Sequence, residues 1–321
     1  MSSLIRPILV TGSHRSGTTW VGQMIASHPR VAYVWELFNP QYKAADSPVK
    51  RWFEHVTPAR EKEFLDYLRP RMKWDPTWHA DRMARPGARG FAAAAMGVAR
   101  NLWRKVRRTR PLLKDPIAFF SAEWLADTFA ADVVVLTRHP AAFVSSIKRL
   151  NWRFRFRQML DQTELMERYL HPFESQMQAY SRLQDPWTLD LVDEANLWWR
   201  MFHHVVACYQ KQRPQWQFAR HEDLSKEPVA AFESMLRRLG LGMTRQVEQA
   251  IAVHSAEENP AEAPHRKAHQ LKRNSRANAF NWLNRLTPAE IAKVRRDTED
   301  VAHQFYTDAD WPEALPPASA A

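Results

Sequence analysis

A strand, a glycine-rich loop, a helix and a second strand follow one another near the start of the chain. The apolar run Pro7–Gly12 is typical of a buried parallel strand, and the loop Ser13–Gly17 follows it directly. Residues 18–29 have helical spacing, and the apolar run 31–35 predicts the second strand. Because two strands joined through a helix form a parallel crossover unit, the sequence predicts an α/β fold with a mostly parallel sheet.

The rest of the chain extends this pattern. Residues 110–116 and 132–138 predict two more strands, each followed by a helical segment, and residues 216–224 predict another strand with its exit loop. We expect one domain over residues 1–321, in which a P-loop-like, mostly parallel sheet is flanked by helices. The less regular region 41–110 is rich in Pro, Trp and Arg and is expected to be a helical insertion over the sheet edge.

The composition limits the class of protein. The hydrophobic fraction of 45% is sufficient for a core, and the single cysteine, Cys208, excludes an internal disulfide. The formal net charge of +11 suggests anionic partners without identifying one. Nucleic acid is not expected, because the basic charge comes without a recognisable binding motif. No apolar run approaches the roughly 20 residues of a membrane span and no signal-peptide pattern is visible, so we expect a cytoplasmic protein.

The loop after the first strand has the G-x-x-x-x-G frame of a phosphate-binding loop. Gly12 and Gly17 let the backbone curl so that N–H groups converge, and the helix N-terminus adds partial positive charge. Arg15 can contact an anion, and Thr18 and Thr19 can donate hydroxyls. A nucleotidase loop has lysine where this chain has Thr18, so a phosphate-like ligand other than a magnesium triphosphate is favoured. A glycine-rich turn without a ligand is the alternative.

This loop, with the helix and the His28-Pro29 pair that follow it, resembles the 5′-phosphosulfate loop of sulfotransferases that depend on 3′-phosphoadenosine-5′-phosphosulfate (PAPS). The resemblance is to the carbohydrate and tyrosyl-protein branches and their bacterial relatives. It implies PAPS as sulfuryl donor, 3′-phosphoadenosine-5′-phosphate (PAP) as product, and no metal. The cofactor-binding residues that it implies in the loop are Arg15, Ser16, Gly17, Thr18, Thr19 and Trp20.

Two further landmarks match the family. Arg138 ends a central strand and Ser146 lies eight residues later in the next helix; the resemblance implies that they hold the 3′-phosphate. The basic segment 264–286 is implied to cover the cofactor. A locally packed Arg and Ser, and a solvated charge run, are the alternatives. The contacts implied within the basic segment are Lys272, Arg273 and Ser275.

Three charged residues are candidates for the chemistry. Glu36 follows the second strand, and the resemblance implies that it is the general base for the acceptor hydroxyl. Lys114 ends the third strand in a Lys-Asp-Pro segment and is implied to share with Arg15 the stabilisation of the transferring group. A strand-end salt bridge is the alternative role of Glu36 and Lys114. His14 and His139 are rival bases near the same loops.

The acceptor is less constrained. Arg and aromatic residues are mixed in the insertion 41–110, expected over the acceptor side, and in residues 151–157. Such a mixture suits an anionic glycan, because rings pack on sugar faces and guanidinium groups pair with carboxylates. We expect a carbohydrate or glycolipid hydroxyl. The alternatives are a small-molecule or lipid hydroxyl, and a P-loop kinase or nucleotidase.

A basic segment suggests a second surface. Residues 97–110 carry six basic residues and no acid, with large apolar residues at helical spacing. This pattern suits peripheral contact with an anionic membrane. A solvated basic helix that packs through one face is the alternative.

Overall fold

The structure is a computed structural model. It describes residues 5–42, 44, 46–75, 88–183, 190–256, 258–259 and 274–312, without the side chains of residues 88–91, 275 and 276. The chain divides into two compact units, and the single domain over residues 1–321 stays a prediction. The first unit comprises Met1–Thr11 and Val21–Val133, and the second comprises Gly12–Trp20 and Val134–Ala321.

Among the described residues, five strands form one sheet in the order β2-β3-β1-β4-β5. Strands β1 and β2 each pair in parallel with β3, and β4 pairs in parallel with β5. The central strands are buried along most of their length, which explains their continuous apolar sequence. The predicted mostly parallel α/β sheet flanked by helices is therefore confirmed. The strands are β1 (Ile8–Gly12), β2 (Val31–Trp35), β3 (Arg110–Lys114), β4 (Asp132–Thr137) and β5 (Gln217–Arg220).

Helices occupy much of the remaining described chain. The earlier ones are α1 (Thr18–Ala26), α2 (Glu61–Met72), α3 (Ala88–Val106), α4 (Ala122–Phe129), α5 (Pro140–Leu150), α6 (Arg157–Leu160), α7 (Thr163–Leu165) and α8 (Glu174–Ser181). The later ones are α9 (Leu191–Gln212), α10 (His221–Lys226), α11 (Pro228–Arg238), α12 (Arg245–Ser255), α13 (Ser275–Phe280) and α14 (Pro288–Ala302). The predicted insertion 41–110 does contain helices, namely α2 and α3, and its place over the acceptor side stays a prediction. Among the described helices, none is long and apolar enough to cross a bilayer.

In the first unit, a buried carboxylate ends β3 earlier than the sequence predicts. The Asp115 carboxylate accepts hydrogen bonds from the backbone N–H groups of Phe38, Ile117 and Ala118, at 2.7, 3.0 and 3.1 Å. Thr11 Oγ1 donates to the Asp115 carbonyl at 2.8 Å. Because these bonds turn the chain after Lys114, they also hold the segment that follows β2 beside the end of β3.

In the second unit, the long helix α9 packs against α5 and α14. Asp190 caps its first turn by accepting from Val192 N at 2.9 Å. The buried side of α9 includes Trp198, Trp199 and Phe202. The aromatic side chains of this helix thereby pack beside the loop that follows β1 and beside the residues that follow β4.

Candidate active site

The loop that follows β1 has the backbone of an anion-binding nest. Gly12, Arg15 and Gly17 have positive φ angles of 141°, 69° and 94°. Such turns aim successive N–H groups to one side, and the N-terminus of α1 adds partial positive charge. A hydrogen bond from Ser16 N to Ser13 O, at 3.2 Å, closes the turn. The loop therefore has the geometry that a phosphate or sulfate group requires.

Close contacts explain why both glycines of the frame are needed. A Cβ added at Gly12 would stand 2.3 Å from the carbonyl oxygen of Leu136 in β4. A Cβ added at Gly17 would stand 2.5 Å from Cδ2 of His221, the first residue of α10. Neither φ angle suits an L side chain either. The shape of the loop thus depends on the elements packed behind it.

Two guanidinium groups converge on this loop. Arg15 Nε donates to Ser146 Oγ at 3.0 Å, and Arg138 Nη1 donates to the carbonyl oxygen of Arg15 at 2.7 Å. Arg138 Nη2 donates to Asn278 Oδ1 at 3.3 Å. The Arg15 guanidinium also lies 5.6 Å from the centre of the Trp152 ring. Residues that are far apart in sequence therefore form one cationic cluster in the second unit.

The backbone around Arg138 is held by buried side chains. Trp199 Nε1 donates to the Arg138 carbonyl at 2.8 Å, and His139 N donates to Glu222 Oε1 at 3.0 Å. Tyr306 OH donates to the other oxygen of Glu222 at 3.3 Å. Burial raises the pKa of Glu222, whereas the hydrogen bond from His139 N opposes this shift. The exit from β4, and with it Arg138, is thereby fixed from several sides.

The hydroxyl groups of the loop have different surroundings. Ser16 Oγ donates to Ser13 O at 2.5 Å, so this hydroxyl supports the loop itself. Ser13 Oγ is buried and has no hydrogen-bond partner among the described residues. Thr18 and Thr19 open α1, where backbone N–H groups lack helical acceptors. A buried hydroxyl beside such donors is the environment that a bound anion satisfies.

Trp20 belongs to the apolar packing of the second unit. Its ring lies edge-on to Phe232 at 5.3 Å and tilted to His221 at 5.7 Å, and the residue is buried. These contacts pack the first turn of α1 against α10 and α11. Contact between Trp20 and a cofactor stays a prediction.

In the first unit, Glu36 and Lys114 form an ion pair where β2 and β3 end. Lys114 Nζ contacts Glu36 Oε1, and the lysine side chain is only 1% exposed. Asn39 Nδ2 donates to Glu36 Oε2 at 2.9 Å, so both carboxylate oxygens are held. Lys114 Nζ also lies 4.2 Å from the centre of the Trp35 ring. The pair is oriented by neighbours, unlike a surface salt bridge between mobile side chains.

A neighbouring carboxyl group is buried beside this pair. Burial raises the pKa of Asp115 to about 7, although the hydrogen bond from Phe38 N favours the ionised form. Its three backbone donors fix the chain on both sides of the Glu36–Lys114 pair. Asp115 is therefore a structural anchor of this pair.

A model described as the sulfotransferase family matches residues 7–191, which is more than half of the chain. The chain belongs to the sulfotransferase family. Among curated proteins, none matches the sequence. The match includes the loop after β1, the Glu36–Lys114 pair, Arg138 and Ser146.

Solved sulfotransferases resemble the chain over most of its length. The sulfotransferase domain from the curacin biosynthetic pathway is 13% identical, with a TM-score of 0.50 over 94% of this chain and 98% of that one. This similarity shows the fold. The sulfotransferase domain of the Synechococcus PCC 7002 olefin synthase is 17% identical, with a TM-score of 0.47 over 94% and 95% of the two chains. Mouse sulfotransferase SULT7A1, complexed with PAP, is 11% identical, with a TM-score of 0.42 over 96% and 87%.

The two rival bases of this sulfotransferase are enclosed. Burial lowers the pKa of both His14 and His139 to about 3. His14 Nδ1 accepts from Trp198 Nε1 at 3.2 Å, and His139 stacks on Trp282 with ring centres 5.1 Å apart. A neutral imidazole with so low a pKa accepts a proton weakly near pH 7. These surroundings favour packing roles for both histidines.

Some predicted residues lie outside the described part of the chain. Lys272, Arg273 and the side chain of Ser275 lie outside the described residues, so their contacts with a cofactor stay predictions. Other residues of the sulfotransferase were missed by sequence reasoning. Asn39 and Asn278 are short polar side chains without a charge to single them out. Asn39 lies in the turn three residues after Glu36, whereas only the fold brings Asn278 to Arg138.

Proposed function

We propose that this sulfotransferase transfers the sulfuryl group of PAPS to an acceptor hydroxyl, with Glu36 as general base. The observation that carries the proposal is the cationic cluster at the loop after β1. There Arg15 contacts both Ser146 and Arg138, and the loop backbone has the geometry of an anion-binding nest. The residues fit a donor with two phosphate groups, since the loop suits one anion and the Arg138–Ser146 region suits another. The buried hydroxyl of Ser13 is a further polar group available to such a ligand.

The chemistry assigned to Glu36 is removal of the acceptor proton. The new bond joins the acceptor oxygen to sulfur, the bond from sulfur to the phosphate oxygen breaks, and PAP leaves with that electron pair. The proton passes to the Glu36 carboxylate, which Asn39 holds through its second oxygen. Lys114 and Arg15 are proposed to stabilise negative charge on the sulfuryl and leaving oxygens. PAPS supplies the activated sulfuryl group when bound.

A ring beside the proposed base suggests what the acceptor offers. Trp35 is 40% exposed, and its indole packs on the Lys114 ammonium next to Glu36. An exposed indole presents a flat apolar face to the ring of a sugar or of a small molecule. This supports a carbohydrate or glycolipid hydroxyl as the proposed acceptor, with a small-molecule or lipid hydroxyl as the alternative.

A cytoplasmic location is proposed for the enzyme.

The donor assignment is tested by calorimetric titration with PAP and ATP in the absence of magnesium. We expect PAP to bind tightly and ATP weakly. Arg138→Gln removes a charged donor and should weaken PAP binding about 10- to 100-fold. Glu36→Ala should leave PAP affinity unchanged, because Glu36 is assigned to the acceptor. Binding of magnesium-ATP without binding of PAP would reject the donor assignment.

Asn39 is proposed to position the base. In Asn39→Asp, the acceptor for Gln41 N (2.9 Å) is retained, while the donor to Glu36 Oε2 becomes a repelling carboxylate oxygen. We expect kcat to fall about tenfold, with PAP affinity unchanged. Asn259→Asp is the control, since it removes a 2.9 Å donor to the Val253 carbonyl elsewhere. An unchanged kcat in Asn39→Asp would remove Asn39 from the proposed mechanism.

A further inference from the structure

Helix α3 presents its large apolar side chains to solvent. Met96 is 66% exposed, Leu102 47%, Trp103 52% and Val106 82%. Their three- and four-residue spacing, together with the exposed Ala99, places them on one continuous stripe of the helix. A stripe of this kind ordinarily faces a protein core.

The opposite side of α3, which packs against other residues of the first unit, is small and polar. Ala94 is fully buried and Asn101 is 1% exposed. Asn101 Nδ2 donates to the Asp75 carbonyl at 3.4 Å, and the Arg104 guanidinium lies 4.6 Å from the centre of the Trp74 ring. The amphipathic order is therefore reversed, because a helix that only covers a core buries its large apolar residues. The exposed stripe needs another explanation.

The charges next to the stripe select one kind of occupant. Arg100 and Arg107 are exposed on one side of it and Lys105 on the other, and the Arg107 guanidinium lies 4.8 Å from the centre of the Trp103 ring. No acidic residue occurs in residues 88–114. Cations beside an apolar face that contains a tryptophan match the surface of a bilayer with anionic headgroups.

We infer that α3 is a docking surface for an anionic lipid membrane. The helix lies along the bilayer surface, its apolar stripe enters the boundary between headgroups and acyl chains, and its arginines and lysine contact the phosphate groups. This goes beyond the proposed sulfuryl transfer and does not depend on the identity of donor or acceptor. It also accounts for the exposure of Leu102, Trp103 and Val106, which packing through one face would have buried.

Vesicle flotation of the full-length chain tests this inference. The probes are vesicles of phosphatidylcholine alone and of phosphatidylcholine mixed with phosphatidylglycerol. We expect binding to the mixed vesicles, weak binding to the neutral ones, and loss of binding at high salt. The variant Leu102→Ser/Trp103→Ser/Val106→Ser should bind the mixed vesicles at least about tenfold more weakly, because the buried apolar area is lost.

Variants matched in chemistry locate the surface. Arg100→Glu/Lys105→Glu should weaken binding about tenfold or more, whereas Lys211→Glu/Arg245→Glu, on α9 and α12, should not. Val229→Ser/Val253→Ser changes apolar residues that are 52% and 48% exposed elsewhere, and it should bind as the wild type does. Melting temperatures confirm that each variant folds, and PAP binding reports separately on the proposed function.

Three results would overturn the inference. The first is equal binding to neutral and anionic vesicles. The second is unchanged vesicle binding by the triple serine variant, which would leave general surface charge as the cause. The third is a change of oligomeric state in light scattering, in which the wild type is a dimer and the triple serine variant is a monomer that binds vesicles as the wild type does. This result would assign the stripe to contact with a second copy of the chain.

Discussion

Replacing Glu36 by glutamine is expected to lower kcat about 10²- to 10⁴-fold, because the acceptor hydroxyl then lacks a base. Glutamine keeps the size of the side chain and an oxygen that can accept from Lys114, but it cannot take a proton. PAP affinity should not change. The measurement is transfer of labelled sulfate from PAPS to an acceptor, with kcat and KM determined separately.

A buried carboxylate in the same unit supplies the control. Glu54 pairs with Arg60, and its side chain is only 4% exposed, which resembles the burial of the Glu36–Lys114 pair. Glu54→Gln therefore reproduces the loss of a buried charge pair without touching the proposed site. If both variants retain the wild-type kcat, Glu36 is not the base; if both lose it equally, the effect belongs to the stability of the first unit.

Much of the fold was predictable because its signals are local. Continuous apolar runs marked the strands, and the loop from Gly12 to Gly17 carried its glycines at the positions that the backbone requires. The position of Arg138 and Ser146 beside Arg15 was also predictable, although these contacts span 123 and 131 residues of sequence, because the carboxyl ends of parallel strands share one edge of the sheet. Their contact with a cofactor stays a prediction.

The contacts that were not predicted join distant side chains that no strand end or loop motif marks. Asn278 reaches Arg138 across 140 residues of sequence, and Tyr306 supports Glu222 across 84. The spacing of Trp103 and Val106 showed that α3 has an apolar side but not whether that side is buried, because periodicity is the same in both cases. The tertiary structure decides this, and it turns the apolar side outward.

Lowering the pH from about 7 to 5 is expected to destabilise the protein through three buried histidines. Burial lowers the pKa of His14, His139 and His203 to about 3, against about 6.5 in an unfolded chain. Below pH 6.5 the unfolded chain therefore binds more protons, and each histidine removes about 1.4 kcal/mol from the free energy of unfolding per pH unit. The stability of the fold with these histidines neutral is therefore fully present above pH 6.5, and it is lost as the pH falls toward 3.

Two buried carboxyl groups act in the opposite direction. The raised pKa of Asp115, about 7, and the raised pKa of Glu222 make the folded chain bind protons first, which adds stability as the pH falls from about 7. These two groups offset part of the loss, and we expect the three histidines to leave a net loss of stability between pH 6.5 and 5. Urea unfolding at a series of pH values measures this slope.

A single substitution isolates the contribution of one histidine. His203 stacks on Trp199 with ring centres 3.8 Å apart, and its Nδ1 lies 2.8 Å from the Trp199 carbonyl oxygen. His203→Gln cannot bind a proton in this range. When the pH is lowered from 7 to 5.5, the free energy of unfolding should therefore fall by about 1.4 kcal/mol less in this variant than in the wild type. A wild-type slope in His203→Gln would show that burial of this imidazole does not govern the acid response.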